Sequence, residues 1–122
     1  MRALIADAPT EVCSSAWALI EVRCVFHRLV REESLTMKQG RELMDLLGSH
    51  VEAGLWRLAP VTEAILRANA TLVRGMPKNV PLRAGDAVHL ASALSLGERA
   101  IWTSDRHLLA AAGHVGLAGL SV

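Results

Sequence analysis

The sequence predicts an α/β domain of three layers, with helices on both faces of a central parallel sheet. Short apolar segments that suit buried strands alternate with longer segments whose apolar residues recur every three or four positions. Such alternation is typical of units in which helices connect parallel strands. The chain has 122 residues, of which 52% are hydrophobic and 20% charged, so we expect a single folded domain over residues 1–122.

The balance of charges excludes several classes of protein. With 13 Lys and Arg against 12 Asp and Glu, the formal net charge is +1, unlike a basic nucleic-acid coat or an acidic tail protein. No apolar run approaches the roughly 18 residues of a membrane helix, so no membrane association is expected. Residues 1–12 lack the sustained apolar stretch of a secretory signal. Cys13 and Cys24 form no CxxC or disulfide pattern, so a cytoplasmic location is expected.

Capping residues predict where the helices begin. Ser14 or Ser15 is expected to cap the first helix, Thr36 with Gln39 forms a capping box for the second, and Thr62 caps the third. The predicted order is strand 11–14, a helix to about residue 33, helix 37–53, strand 55–59, helix 63–74, helix 84–96, strand 100–103, helix 106–112 and a final strand within 115–122.

Glycines and prolines predict where the elements end. Gly54, Gly97 and Gly113 are expected to terminate the helices that precede them. Residues 75–83, GMPKNVPLR, contain two prolines, a glycine and an asparagine and are predicted to form a loop. In open parallel sheets, ligands bind at the carboxyl ends of the strands, so chemistry is expected there.

Three acidic residues occupy positions where an unpaired charge would be costly. Glu21 lies among apolar neighbours within the first helix, Asp86 opens the fourth helix beside an apolar face, and Asp105 follows a strand directly. A shared cation would offset that cost. Hard divalent cations such as Mg²⁺ and Mn²⁺ take oxygen ligands.

Each acidic residue also has an ordinary structural interpretation. Asp86 and Asp105 are suitable N-terminal helix residues, as a charge near the helix dipole and as an N-cap respectively. Glu21 is within reach of Arg23 and Arg28 on a solvated helix face. The sequence leaves these interpretations open beside the metal site.

Three segments carrying these residues resemble the PIN-domain ribonucleases, in particular toxins of the VapC type from toxin–antitoxin pairs. The segment around Glu21 is similar to the glutamate-bearing helix of that family, and the segment around Asp86 is similar to its most recognisable motif. A strand followed by Thr-x-Asp, here Thr103 and Asp105, completes the pattern. The three segments are SSAWALIEVRCVFHRL, LRAGDAVHLASALSLG and AIWTSDRHLLAAA.

The resemblance implies a PIN-like, Rossmann-like fold and a metal-dependent endoribonuclease. Glu21, Asp86 and Asp105 would be the catalytic carboxylates and the ligands of Mg²⁺ or Mn²⁺, and Thr103 would support them. The bound metal would lower the pKa of a water molecule and stabilise charge on the phosphate. Toxins of this type bind a cognate antitoxin protein and pair as homodimers, so both partners are implied besides the RNA substrate.

The start of the chain departs from the family pattern. That pattern begins with a buried strand ending in Asp, whereas MRALIADAPTEV looks like the tail of the helix that follows such a strand. Asp7 precedes the predicted strand 11–14 and is no substitute. We therefore expect an N-terminally truncated fold that lacks one of four metal ligands.

Two weaker signals surround Asp86. Residues 67–83 contain basic residues and no acidic ones, and Arg74, Lys78 and Arg83 are candidates for contacts with RNA phosphates; an ordinary solvated linker is the alternative. His89 follows Asp86 by about one helical turn, where a role in helix packing is favoured.

The leading hypothesis is thus an endoribonuclease toxin of a type II toxin–antitoxin system. The first alternative is a catalytically inactive PIN-like module that binds antitoxin or RNA, as the missing acidic strand end would suggest. The second is a generic α/β scaffold whose carboxylates coincide by chance, which predicts no stabilisation by metal.

Overall fold

The computed structural model describes residues 12–121, which form four short strands and five helices in the predicted order. Each strand has four residues, and helices follow the first three of them. The elements are β1 (Val12–Ser15), α1 (Trp17–Arg31), α2 (Met37–Glu52), β2 (Trp56–Ala59), α3 (Glu63–Gly75), α4 (Ala84–Ser95), β3 (Ala100–Thr103), α5 (Arg106–His114) and β4 (Ala118–Ser121). Asp7 lies outside the described residues.

Two of the three predicted helix caps are confirmed. The Thr36 hydroxyl accepts a hydrogen bond from the Gln39 backbone at 3.1 Å, and the Gln39 side chain accepts one from the Thr36 backbone at 2.9 Å. Thr62 likewise accepts from a backbone N–H within the first turn of α3. The prediction for α1 was wrong because Ser15 is still the last residue of β1, and Ala16 occupies the N-cap without a side-chain bond.

The helix ends follow the glycines with one exception. Gly54 and Gly97 both have φ of 72°, a left-handed conformation that favours glycine after a helix. The prediction that Gly113 ends α5 was wrong, since the helix continues to His114. Gly116, with φ of 84°, makes the left-handed turn instead.

All strand pairing in the described part of the chain is parallel, as predicted. β1 pairs with β2, placing Ser15 opposite Ala59, and β3 pairs with β4, placing Thr103 opposite Ser121. The expectation of one central sheet is met only in part, because the strands of residues 12–121 form two separate two-stranded sheets. The α/β class is therefore present, while a continuous sheet within three layers stays a prediction.

Helix α4 occupies the centre of the described structure. Every residue from Asp86 to Ser92 is buried, so this helix is enclosed on all sides over two turns. It packs against α3, α1 and β1. The main core joins α3 and α4 to α5, to β3 and to Leu117, which precedes β4; its fully buried centre is Leu90, Leu108, Ala111 and Ala112.

Helices α1 and α2 pack closely where Gly40 faces Val30. A Cβ atom added to Gly40 would lie only 2.6 Å from Val30 Cγ2, so a side chain there would force the helices apart.

Among the helices that the structure describes, none combines the length and the apolar character needed to cross a bilayer.

Candidate acidic site

Three different elements supply the predicted acidic residues, and all three residues lie near the N-terminus of α4. Asp86 belongs to the first turn of α4 and is 2% exposed. Asp105 is the N-cap of α5, two residues after the end of β3. Glu21 lies in α1, which packs against α4. The carboxyl end of β3 thus carries one of the acidic residues, as expected for a parallel α/β protein.

Arg83 joins two of these carboxylates directly. Its Nε lies 3.3 Å from Asp86 Oδ2, and its Nη2 lies 2.7 Å from Asp105 Oδ2. The Arg83 side chain is 66% exposed, whereas those of Asp86 and Asp105 are 2% and 18% exposed. One guanidinium at the surface therefore pairs with two carboxylates that are largely withdrawn from water, and its single charge offsets one of their two negative charges.

The Arg83 guanidinium is held in its charged form by these neighbours. The hydrogen bond to Asp86 and its negative charge raise the pKa of Arg83, and the charge of Asp105 adds to the effect. The stability that this pairing contributes is fully present below the ordinary pKa of arginine. It is lost only as the pH rises through the raised value, so it does not vary with pH in the neutral range.

The Asp105 carboxylate is fixed by the backbone around it. Its Oδ1 accepts hydrogen bonds from the backbone N–H groups of His107 at 2.9 Å and Leu108 at 3.3 Å. Its own N–H donates to Thr103 Oγ1 at 3.0 Å. The ordinary N-cap interpretation of Asp105 is therefore correct, and it leaves Oδ2 directed at Arg83. Thr103, 1% exposed, shapes the turn that presents this carboxylate.

The ordinary interpretation of Asp86 is also correct in part. Asp86 Oδ2 accepts a hydrogen bond from the Arg83 backbone N–H at 3.2 Å, which closes the first turn of α4. The same oxygen faces the Arg83 guanidinium. The buried Asp86 side chain thus closes the first turn of α4 and also belongs to the candidate acidic site.

Glu21 pairs with His89 of α4 through Oε1 and Nε2. Arg28, which the sequence offered as a partner of Glu21, lies 3.9 Å from Glu32. His89 is 3% exposed and lies one turn beyond Asp86 on the same helix. It is a packing residue, as expected, and it also fixes the Glu21 carboxylate.

The other oxygen of Glu21 reaches the first turn of α4. A Cβ atom on Gly85 would lie 2.7 Å from Glu21 Oε2 and 3.1 Å from Trp17 Nε1. The absence of a side chain at Gly85 therefore lets the Glu21 carboxylate approach the residue next to Asp86. In this way α1 and α5 each direct a carboxylate to the same end of α4.

The present arrangement of side chains is not a closed metal cage. Within residues 12–121, no group of three or more His, Cys, Asp or Glu side chains has the geometry to hold a metal ion. The donor types nevertheless fit a hard divalent cation, because carboxylate oxygens are the ligands that Mg²⁺ and Mn²⁺ prefer. The Arg83 guanidinium, placed between Asp86 and Asp105, marks a position where positive charge is already favoured.

The predicted basic residues Arg74 and Lys78 precede α4 in the chain. Arg74 lies in the last turn of α3, and Lys78 lies in the connection to α4; both are exposed. The apolar side chains of this connection, Met76, Val80 and Leu82, pack against the main core and hold it in place. RNA contact by Arg74, Lys78 or Arg83 stays a prediction.

Arg83 and His89 make contacts that were not predicted from the sequence. Arg83 was assigned only to RNA, although its position three residues before Asp86 is the spacing of an ion pair within one helical turn. For His89, a packing role was favoured over an approach to the acidic site. Its spacing from Asp86 indicates a shared helix face, but its pairing with Glu21, 68 residues away in the chain, depends on how α1 crosses α4.

Carboxylates from different elements thus lie together at the start of a buried helix, and Asp105 also follows the carboxyl end of a parallel strand, where open α/β sheets bind their ligands. The PIN domain family model matches residues 1–114, so the chain belongs to the PIN domain family. Proteins of this family are generally metal-dependent nucleases with an α/β fold. No curated protein and no solved structure matches the chain.

Proposed function

We propose that this protein is an Mg²⁺- or Mn²⁺-dependent endoribonuclease of the VapC toxin type, which hydrolyses phosphodiester bonds of RNA in the cytoplasm. One observation above all supports the proposal: the carboxylates of Asp86 and Asp105, from different elements, lie close enough at the start of α4 for one guanidinium to reach both. Glu21 lies beside the same turn. Membership of the PIN domain family supports nuclease chemistry at this site.

In this proposal Glu21, Asp86 and Asp105 hold the divalent ion. When bound, the ion would supply a water molecule of lowered pKa and stabilise negative charge on the phosphate. Thr103 positions Asp105 through the turn between them, and His89 positions Glu21.

The proposed substrate contacts follow from charge. Arg74 and Lys78 are exposed and lie ahead of α4, so they can attract the phosphates of an RNA strand toward the acidic residues. Such contacts carry no sequence information by themselves. The basic residues therefore bind and orient the backbone, while the carboxylates perform the chemistry.

The proposal includes two protein partners, a cognate antitoxin and a second copy of the chain. Large apolar side chains are exposed on several helices, which is typical of surfaces that other proteins cover. Those on α1 and α3 are Ile20, Val25, Leu66 and Val73. A single domain over residues 1–122 would carry both the acidic site and these surfaces.

The alternative is a catalytically inactive PIN-like module that binds antitoxin or RNA. The ion pairs of Arg83 favour this alternative, because Asp86 and Asp105 already have a cation without any metal. Binding of antitoxin or RNA without cleavage would then be the whole activity.

The test is cleavage of a labelled RNA by the full chain in Mg²⁺, in Mn²⁺ and in chelator. We expect cleavage only with metal, and Asp86→Asn should reduce the rate by about a hundredfold or more, because it removes a charged group from the site. Asparagine keeps a hydrogen-bond acceptor for the Arg83 backbone. Asp45→Asn, at an exposed position of α2, is the matched control and should cleave like the unaltered protein.

Three outcomes separate the hypotheses. Metal-dependent cleavage that Asp86→Asn abolishes and Asp45→Asn preserves supports the enzyme. Binding of RNA with no cleavage in either metal supports the inactive module. Absence of cleavage, of RNA binding and of any effect of metal on thermal unfolding would contradict the enzyme and the RNA-binding module, and would favour a generic α/β scaffold.

A further inference from the structure

We propose that the Arg83 side chain is a built-in counter-ion of the acidic site, which a divalent cation must displace in order to bind. The inference rests on the proposed function, since it concerns the same carboxylates. It assigns to Arg83 control over metal loading, in place of a contact with RNA alone.

The geometry first shows that Arg83 serves both carboxylates at once. Two different nitrogens of its guanidinium face Asp86 Oδ2, at 3.3 Å, and Asp105 Oδ2, at 2.7 Å. A forked guanidinium suits such bridging, whereas the ammonium of lysine is a single point charge. Arg83 therefore takes the position that a divalent cation would take, between two carboxylates from two elements, with half the charge.

The atoms that Arg83 engages are those that a metal would need. Asp105 Oδ1 already accepts two backbone hydrogen bonds, so Oδ2 is the oxygen directed toward Asp86 and the guanidinium. A divalent ion placed against the same oxygens would meet the positive charge of Arg83 at close range, where repulsion is strong. Metal and guanidinium thus exclude each other from the pair.

The guanidinium can leave without dismantling the site. The Arg83 side chain is 66% exposed, so water is available to solvate it after release. The Arg83 backbone N–H would remain bonded to Asp86, which keeps that carboxylate in place. Because arginine stays charged at any working pH, release occurs by competition with the metal and not by loss of a proton.

The experiment measures Mn²⁺ binding by isothermal titration calorimetry in the full chain and in two variants. Arg83→Gln should bind Mn²⁺ about threefold to tenfold more tightly, since no ion pair has to be broken and one repulsive charge is gone. Arg67→Gln is the matched control: Arg67 pairs with Glu63 on α3, with both side chains 77% exposed, and its loss should leave Mn²⁺ affinity unchanged.

Two further readouts test the same idea without activity. In chelator, Arg83→Gln should melt at a lower temperature than the unaltered protein, because Asp86 and Asp105 lose their cation. In ¹⁵N NMR spectra of the unaltered protein, the Nε–H signal of Arg83, assigned by its loss in Arg83→Gln, should shift on saturation with Mg²⁺. The Arg67 signal should not shift.

Equal or weaker Mn²⁺ binding by Arg83→Gln than by the unaltered protein would overturn the inference. It would also be overturned if the Nε–H signal of Arg83 did not shift with Mg²⁺, or if Arg83→Gln melted at the same temperature as the unaltered protein in chelator. If the unaltered protein binds Mn²⁺ and cleaves RNA under those results, the proposed function stands and the inference alone is wrong. If neither form binds Mn²⁺, both are wrong.

Discussion

At the scale of single residues, the acidic positions were predictable and their partners were not. Asp86 and Asp105 were identified because a strand end and a helix start are visible in the sequence. Their bridge through Arg83 depends on the approach of α5 to α4, which local patterns do not encode. The same holds for Glu21, whose partner His89 is far away in the chain.

Substitution of Gly85 should lower activity with little change in stability. Gly85→Ala adds a Cβ atom that would lie 2.7 Å from Glu21 Oε2, so the end of this flexible side chain must move. We expect cleavage and Mn²⁺ affinity to fall, while the free energy of unfolding changes by no more than about 1 kcal/mol because alanine is the better helix residue. Chemical denaturation and the RNA cleavage assay measure the two effects.

Gly48→Ala is the control, since a Cβ atom there would meet nothing within 4 Å. Gly48→Ala should gain a similar amount of stability from the higher helix propensity of alanine, without loss of RNA cleavage. Normal Mn²⁺ affinity and cleavage in Gly85→Ala would show that the position of Glu21 does not matter for the site.

At the scale of elements, the sequence predicted the order of helices and strands well and their limits less well. Capping residues have a direct chemical signature, so Thr36 and Thr62 were identified correctly. Ser14 and Ser15 carry the same signature but belong to β1, where strand pairing with β2 takes precedence. Gly113 was misread because a glycine can also lie within the last turn of a helix.

The packing of α1 on α2 supplies an element-scale prediction. Gly40→Ala would place a Cβ atom 2.6 Å from Val30 Cγ2, a branched side chain that cannot swing aside freely. Gly48 lies in the same helix, and a Cβ atom there would meet no described atom within 4 Å. Both variants therefore gain the same stability from the higher helix propensity of alanine. Gly40→Ala should therefore be less stable than Gly48→Ala by about 1–3 kcal/mol in urea unfolding. Equal stabilities would mean that the two helices do not pack closely there.

At the scale of the whole molecule, parallel pairing was predictable because helical connections join the strands. The division of the strands of residues 12–121 into two separate pairs was not. Strand order is set by contacts between distant segments, and strands of four residues carry little information about their neighbours. The central position of α4 was not predicted either, although its run of small and apolar residues is consistent with burial on all sides.

Metal binding should stabilise the whole fold if the acidic site is real. At a Mn²⁺ concentration 100 times the dissociation constant, mass action adds about 2.7 kcal/mol to the free energy of unfolding. We expect a clear rise in melting temperature for the unaltered protein and little or none for Asp86→Asn. An equal rise in both proteins would place the metal elsewhere.

The most direct test of the central claim is a crystal structure of the full chain grown with Mn²⁺, with anomalous diffraction used to locate the ion. We expect an anomalous peak within about 2.0–2.6 Å of carboxylate oxygens of Asp86 and Asp105, on the side where Glu21 meets the first turn of α4, with the Arg83 guanidinium moved away. A peak remote from these carboxylates, or an unchanged Arg83 bridge without any peak at saturating Mn²⁺, would contradict it.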